Sequence, residues 1–355
     1  MKNINIIIED GLSLKQQRGI GQYTMRLYEI LSDNYTVEMK RKRFLENVKN
    51  NTLRRIFYCL WLNTFFVLST LLKKNGTVCF FTSTMTPLIK FPHIKYISVI
   101  HDIRSVIYPN LSTKIQNIHA NFVNWSAVKC SDILITVSKT VKEEIIENYK
   151  VDSQKIKIIS NTSSIQSVKY DESEKILKTY NLTPKNYLFF IGGLDRNKNV
   201  QLILDAFNEI NKEFPNLKLV IAGNKGNDSL ISQNPNIVFT GFISNADIKV
   251  LYKNALIYLF LSTYEGFGIP ILDAQLMQVP IVCSDIPVFR EVAGKGALYT
   301  KLNIDKIVRN IQKLMNNERI RKEIVNDGLR NVGRYSTDFI LRQIIEVIQD
   351  HVLQN

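Results

Sequence analysis

Four cysteines serve the whole chain, and Cys59, Cys79, Cys130 and Cys283 stand far apart in apolar surroundings. That scatter gives neither the paired spacing of a metal site nor a disulfide framework, so a reducing cytoplasm is the expected setting. Asp-x-Asp does not occur anywhere in the sequence. The clustered carboxylates that a hard cation takes as oxygen ligands are therefore missing, and metal-free chemistry is expected. Long hydrophobic runs are missing too. The strongest, Ile56–Leu72, has 17 residues and is interrupted by Asn63, Thr64, Ser69 and Thr70, which is marginal for a span. It is expected as a buried or partly buried core helix, with an interfacial helix as the other reading. The opening Met1–Glu9 is a short apolar strand that meets acids at once, unlike a secretory leader. Neither an internal repeat nor a low-complexity tract is found.

What is present is globular: 45% hydrophobic and 22% charged residues over 355 positions, enough for two domains of ordinary size. The net charge of +14 is uneven. Residues 1–165 carry 23 Lys/Arg against 12 Asp/Glu, and residues 166–355 carry 23 against 20. The densest basic points are Lys40–Arg43 and Arg54-Arg55. Such a field draws anions: nucleic acid, phosphorylated substrates or acidic lipid. It is equally the field of a solvated basic face.

Strand-like and helix-like segments alternate along the chain. Ile4–Ile8, Val78–Phe81, Tyr96–Ile100, Ile133–Val137 and Lys155–Ile159 read as strands, with helices over Gly21–Leu31 and Lys139–Tyr149, the latter capped by Ser138. After a polar connection over 160–185 a second set begins: strands at Tyr187–Ile191, Leu217–Ala222, Ile237–Thr240, Leu256–Leu261 and Pro280–Cys283, and helices at Val200–Glu213 and Asn245–Lys253. Alternation of this kind predicts α/β architecture, with two doubly wound Rossmann-like parallel sheets. The expected domains are 1–165, 166–336 and a helical tail over 337–355 that packs back on the N-terminal domain. Ligands of open parallel sheets sit beyond the carboxyl ends of the strands, so the two domains are expected to face a central cleft.

The richest segment is Ser262–Met277. Glu265 and Asp273 lie eight positions apart, with Gly266, Gly268 and Pro270 between them. A strand, a glycine loop and a helix start follow one another here. The free N–H groups and positive dipole end of that helix suit a phosphate. Glu265 in the loop and Asp273 on the first turn would then hold hydroxyls on either side of it, the layout of a sugar, a diphosphate and a ribose. An ordinary βα turn with solvated acids fits the same residues.

Three further places fall at strand ends. Arg196 and Lys198 follow Gly192-Gly193 and offer cations to a departing nucleoside diphosphate, or are commonplace surface charges. Gly19-Ile-Gly-Gln-Tyr-Thr24 falls short of a dinucleotide fingerprint because its third position is Thr24. It still suits a loop that brings backbone amides to a diphosphate or an acceptor. His101 ends a strand beside Asp102, either touching substrate or acting as a structural hydrogen-bonder.

Together these segments resemble the group 1 glycosyltransferases, the retaining family 4 with the two-domain GT-B fold. The resemblance runs over nearly the whole length. It is carried by Gly19–Leu27, Ser98–Ile103, Ser131–Ser138, Ile191–Asn199, Leu219–Gly223, Val238–Phe242 and Tyr264–Asp273. It implies that Glu265 binds the donor sugar, that Gly266, Phe267, Gly268 and Ile269 offer backbone amides, and that Asp273 holds the ribose. It further implies Lys198 on the diphosphate, Gly21 near it, His101 facing the donor sugar, and Gly223 and Phe242 beside the base. Glu265, His101 and Lys198 are the implied catalytic residues. Departures are Asp273 for a glutamate, Asn197 where an arginine is frequent, with Arg196 one place earlier, and Asn161-Thr-Ser-Ser164 for Asn-Gly-Val-Asp. The implied activity moves a hexose of mannose or glucose type from a nucleotide diphosphate sugar to a glycan or lipid-linked glycan. Retention, no cofactor and no metal are implied, in O-antigen or capsule assembly. The implied place is the cytoplasm, with peripheral contact to an anionic membrane.

Two other classes stand beside this one. A non-catalytic homologue that binds a sugar nucleotide or glycan and scaffolds a pathway is suggested by Asn197 and Asp273. A nucleic-acid binder is suggested by charge alone, but the basic residues lack interleaved aromatics, and nucleic acid is not an expected partner.

Overall fold

The computed structural model describes residues 4–9, 19–40, 45, 47–48, 50–223 and 233–352. Arg41–Arg43 of the basic cluster lie outside the described residues. The chain forms two compact units: Met1–Ser160 with Asp338–Asn355, and Asn161–Thr337.

The first unit is built on six parallel strands: β1 (Asn5–Glu9), β2 (Thr36–Lys40), β3 (Thr77–Phe81), β4 (Ile94–Ile100), β5 (Ile133–Thr136) and β6 (Ile156–Ile158), ordered β2-β1-β3-β4-β5-β6. β3 is buried throughout, as a strand with both faces covered must be. β2 has no counterpart in the sequence expectations. It lies at the sheet edge, where one neighbour and partial exposure remove the need for a continuous apolar run. The helix Lys139–Tyr149 starts where Ser138 accepts the Val141 N–H. Thr113 and Gln116 form a capping box at the start of Lys114–Cys130, a helix that sequence periodicity missed. The tail helix Thr337–Val352 contributes Ile340, Ile344, Val347 and Ile348 to the cluster that holds Ile6, Ile8 and Val78.

The segment expected as a core helix over 56–72 is helical over Asn51–Trp61 and Val67–Thr70, with a π-turn at Leu62–Phe66 between them. Only one side of it is core. Tyr58, Leu62, Phe66 and Val67 are buried, and the apolar side chains on its other side stand in solvent.

The second unit repeats the plan with β7 (Tyr187–Ile191), β8 (Lys218–Ala222), β9 (Ile237–Gly241), β10 (Ile257–Phe260), β11 (Ile281–Ser284) and β12 (Leu298–Thr300). Their order is β12-β11-β10-β7-β8-β9, again all parallel. β7 and β10 are neighbours in the middle of this sheet, so the loops leaving their carboxyl ends emerge side by side. Residues 161–165, expected with the first domain, belong to this unit.

Candidate functional site

The carboxyl ends of β7, β8 and β9 are tied together by glycines. Gly192 N–H donates to the Ala222 carbonyl at 3.0 Å and Gly223 N–H to the Gly241 carbonyl at 2.9 Å. Gly223 has φ 134°, and a Cβ there would stand 2.0 Å from the Gly192 carbonyl oxygen. Only glycine fits that position.

Beyond Gly193 the chain makes a short turn over Arg196–Lys198, then enters the helix Val200–Glu213 through Asn199 in the left-handed region, φ 50°. Asparagines fasten this turn to the loop after β10. Asn197 is buried and donates its side-chain amide to the Tyr264 carbonyl at 3.1 Å, while its own carbonyl accepts from Thr263 N–H at 2.8 Å. Asn199 donates to the Leu261 carbonyl at 2.7 Å and to Thr263 Oγ1 at 2.8 Å. The two loops are thus hydrogen-bonded to one another, and Lys198 and Glu265 meet where they join. Lys198 Nζ is hydrogen-bonded to Glu265 Oε1 and lies 5.1 Å from the centre of the Phe260 ring. Their side chains are 18% and 16% exposed, so the pair is shielded but open to a ligand.

Gly268 (φ 108°) ends the loop and starts the helix Ile269–Leu276 with no side-chain cap on its first amides. A Cβ at Gly268 would press on the Phe289 ring at 3.0 Å. Phe267 is buried against Tyr335. Because the helix begins at Ile269, Asp273 is its fifth residue and not part of its first turn, where the sequence pattern had put it.

Asp273 is 3% exposed. Its Oδ1 accepts from Ser163 Oγ at 2.7 Å and Ser164 N–H at 2.7 Å, and its Oδ2 accepts from Ser164 Oγ at 2.6 Å. The Ile165 backbone N–H adds a further hydrogen bond, so a carboxylate's roughly four acceptor positions are engaged. Burial pushes the pKa of Asp273 above its ordinary value, against the opposing pull of the serine hydrogen bonds. Sequence reasoning singled out neither Ser163 and Ser164 nor Asn199, and it treated Asn197 only as a lost arginine. The signal for the serines was the polar Ser-Ser standing where Val-Asp is usual.

Arg196 and Phe242 are exposed, and Gly223 stands at the end of β8. Gly21 and His101 belong to the first unit. Gly21 is buried in the first turn of Ile20–Ser32, whose Thr24 hydroxyl donates to Thr82 Oγ1 at 2.6 Å. His101 Nε2–H donates to the Thr82 carbonyl at 2.9 Å, and the ring meets Tyr23 edge-on at 5.0 Å. Burial lowers the His101 pKa, which keeps the imidazole neutral near pH 7.

Residues 172–330 match the model of the glycosyl transferases group 1 family. This stretch is a group 1 glycosyltransferase domain. The chain is 31% identical over 226 residues to the O-antigen chain mannosyltransferase RfbU of Salmonella typhimurium, covering 61% of this chain and 60% of that protein. It is 25% identical over 264 residues to O-antigen chain mannosyltransferase B of Escherichia coli, 70% of this chain and 68% of the relative. These alignments span about three fifths to two thirds of the relatives' lengths. Among solved structures, Anabaena HepE in complex with UDP-glucose superposes with a TM-score of 0.76 at 15% identity, covering 98% of this chain and 100% of that one. The two Rossmann-like units therefore have the fold of GT-B glycosyltransferases.

Proposed function

We propose that the protein is a glycosyltransferase that moves a hexose from a nucleotide diphosphate sugar to a glycan or lipid-linked glycan during surface polysaccharide assembly. The observation that carries this reading is the Lys198–Glu265 pair, held on fastened loops at the ends of β7 and β10. The group 1 match and the mannosyltransferase relatives support it and favour mannose as the sugar.

Breaking the anomeric C–O bond builds positive charge on the sugar and negative charge on the departing diphosphate. Lys198 takes the diphosphate and Glu265 the sugar hydroxyls, so the donor divides a pair that neutralises itself in the free protein. Arg196 and the positive dipole end of the helix that starts at Ile269 add positive potential on the diphosphate side. Gly266, Phe267 and Gly268 bring backbone close to the sugar, and Gly223 and Phe242 are assigned to the base. His101 and Gly21 of the first unit are given the sugar-side and phosphate-side roles that the family resemblance implies. Retention by front-face attack, with a diphosphate oxygen accepting the acceptor's proton and no metal required, belongs to the same proposal. The ribose role that the resemblance implies for Asp273 would compete with its bonds to Ser163, Ser164 and Ile165, and its principal part is to fix this segment to the helix behind the loop.

A thermal-shift screen over nucleotide sugars tests the reading. A true donor at a hundredfold excess over its Kd adds about 2.7 kcal/mol of stability, and its hydrolysis or transfer should follow. A chain that binds a donor without ever hydrolysing or transferring it is instead the scaffolding homologue, and no binding across the screen refutes both. In the cell we place the enzyme in the cytoplasm against the inner face of an anionic membrane, where a lipid-linked acceptor is presented.

A further inference from the structure

The helical segment Asn51–Thr70 is two-faced. Its core side enters the cluster around Phe81 and Tyr96. Its other side exposes Leu53, Ile56, Phe57 and Leu60, then Phe65 and Leu68 across the π-turn, with Phe65 70% exposed. Steps of three and four residues before the turn, and the additional residue the π-turn inserts, keep these side chains on one stripe. The stripe ends at Leu72, which is 94% exposed.

A second helix carries the same feature. Lys114–Cys130 exposes Ile115, Ile118, Phe122 and Trp125, at steps of three and four, with Ile115 72% exposed and Phe122 stacked on Trp125. The two helices share one side of the first unit. Val123 of the second lies in the cluster of Tyr58, Leu62 and Phe66 from the first. Leu88 N–H donates to Asn63 Oδ1 at 2.7 Å, which brings the exposed Leu88 and Ile89 alongside. Soluble monomers rarely expose so much apolar side chain in one region without a use for it.

Charge identifies the occupant. Residues 51–130 contain nine Lys/Arg and a single acid, Asp102, and neither helix carries an acid. A second copy of this chain would bring like charge against like, which disfavours it as a partner. Among the described residues no helix is long and apolar enough to cross a membrane. A surface that offers acidic headgroups above hydrocarbon suits the basic excess of this segment and its apolar stripe together, and Phe65, Phe122 and Trp125 are residue types that favour the interfacial depth.

We propose that the face formed by Asn51–Leu72, Leu88-Ile89 and Lys114–Trp125 docks in the interface of an anionic phospholipid bilayer. This deepens the membrane-side placement given above and rests on it, and the test is read without donor or acceptor, so that its failure leaves the transferase reading standing.

The full chain is floated with phosphatidylcholine vesicles, with and without phosphatidylglycerol. It is expected to float with the anionic vesicles only, less so in high salt, and with a blue shift of tryptophan emission as Trp125 leaves water. Two variants separate the helices: Leu60→Gln/Phe65→Gln/Leu68→Gln and Ile115→Gln/Ile118→Gln. Each is expected to lower the bound fraction on the order of tenfold while the unfolding temperature holds, because these side chains are exposed. No flotation, equal flotation with both vesicle types, or flotation unchanged in both variants would overturn the proposal. A wild-type dimer that the variants abolish, without flotation, would overturn it as well.

Discussion

Ser164 grips both carboxylate oxygens of Asp273, with its backbone N–H on Oδ1 at 2.7 Å and its hydroxyl on Oδ2 at 2.6 Å. The contact joins the segment that follows β6 to the helix that follows the glycine loop, 109 residues later in sequence. Ser164→Ala removes one charge-assisted bond from a buried acceptor and is expected to cost about 1.5–3 kcal/mol in denaturant unfolding. Asp273→Asn adds a pH signature. The folded pKa of Asp273 is raised, so the folded state binds the proton more tightly than the unfolded chain does. Its stabilising contribution is full below the unfolded value, about 4, and is lost as pH rises through the folded value. The wild type should lose this increment as the pH is raised across that window, and Asp273→Asn should not. Parallel stability-versus-pH curves for the two would contradict the linkage.

Lys198→Ala is expected to lower transfer by about 2–4 kcal/mol of transition-state stabilisation, read in kcat with a donor found by the thermal-shift screen. The fold should survive, since the pair is partly open to solvent. Near-normal turnover would remove Lys198 from the chemistry.

Asn197→Ala removes the buried side-chain bond to the Tyr264 carbonyl and loosens the loop that carries Glu265. A loss of about 1–3 kcal/mol in stability is expected, together with a fall in kcat, because Lys198 and Glu265 would no longer be fixed relative to one another. Asn197→Arg, which restores the residue frequent in the family, should do no better, since a longer side chain does not fit a buried asparagine's place.

Gly223→Ala drives a methyl into the Gly192 carbonyl from a backbone conformation that alanine avoids. The expected cost is more than about 2 kcal/mol, seen as a lower unfolding temperature or insoluble protein. Gly241→Ala is the control. It shares a positive φ of 69° but has open space around its would-be Cβ, so it should cost less.

His101 gives an acid-side signature in the first unit. Its folded pKa is lowered by burial, so the unfolded chain binds the proton more tightly. Its contribution to stability is present above the unfolded value, about 6.5, and is lost as the pH falls through the folded value. His101→Asn should flatten the stability curve below about pH 6.5, whatever its effect on activity.

Period and end signals made most elements legible. Val200–Glu213 stands where its amphipathic pattern put it, and Ser138 caps its helix because a serine before an apolar-periodic run can hardly do otherwise. β2 and the helix Lys114–Cys130 were not legible. One is an edge strand, and the other turns apolar residues both to the core and to solvent, so neither shows a clean period.

The order of residues along the chain was enough to determine two parallel α/β layers and a glycine loop with an acid in front of a helix, because hydrophobic alternation and helix-end chemistry are local. Which side chains meet was decided by tertiary structure alone. Neighbouring β7 and β10 bring Lys198 to Glu265 across 67 residues, and Asp273 turns to two serines instead of standing free. Strand order and helix burial are properties of the packed sheet, and no window of sequence contains them.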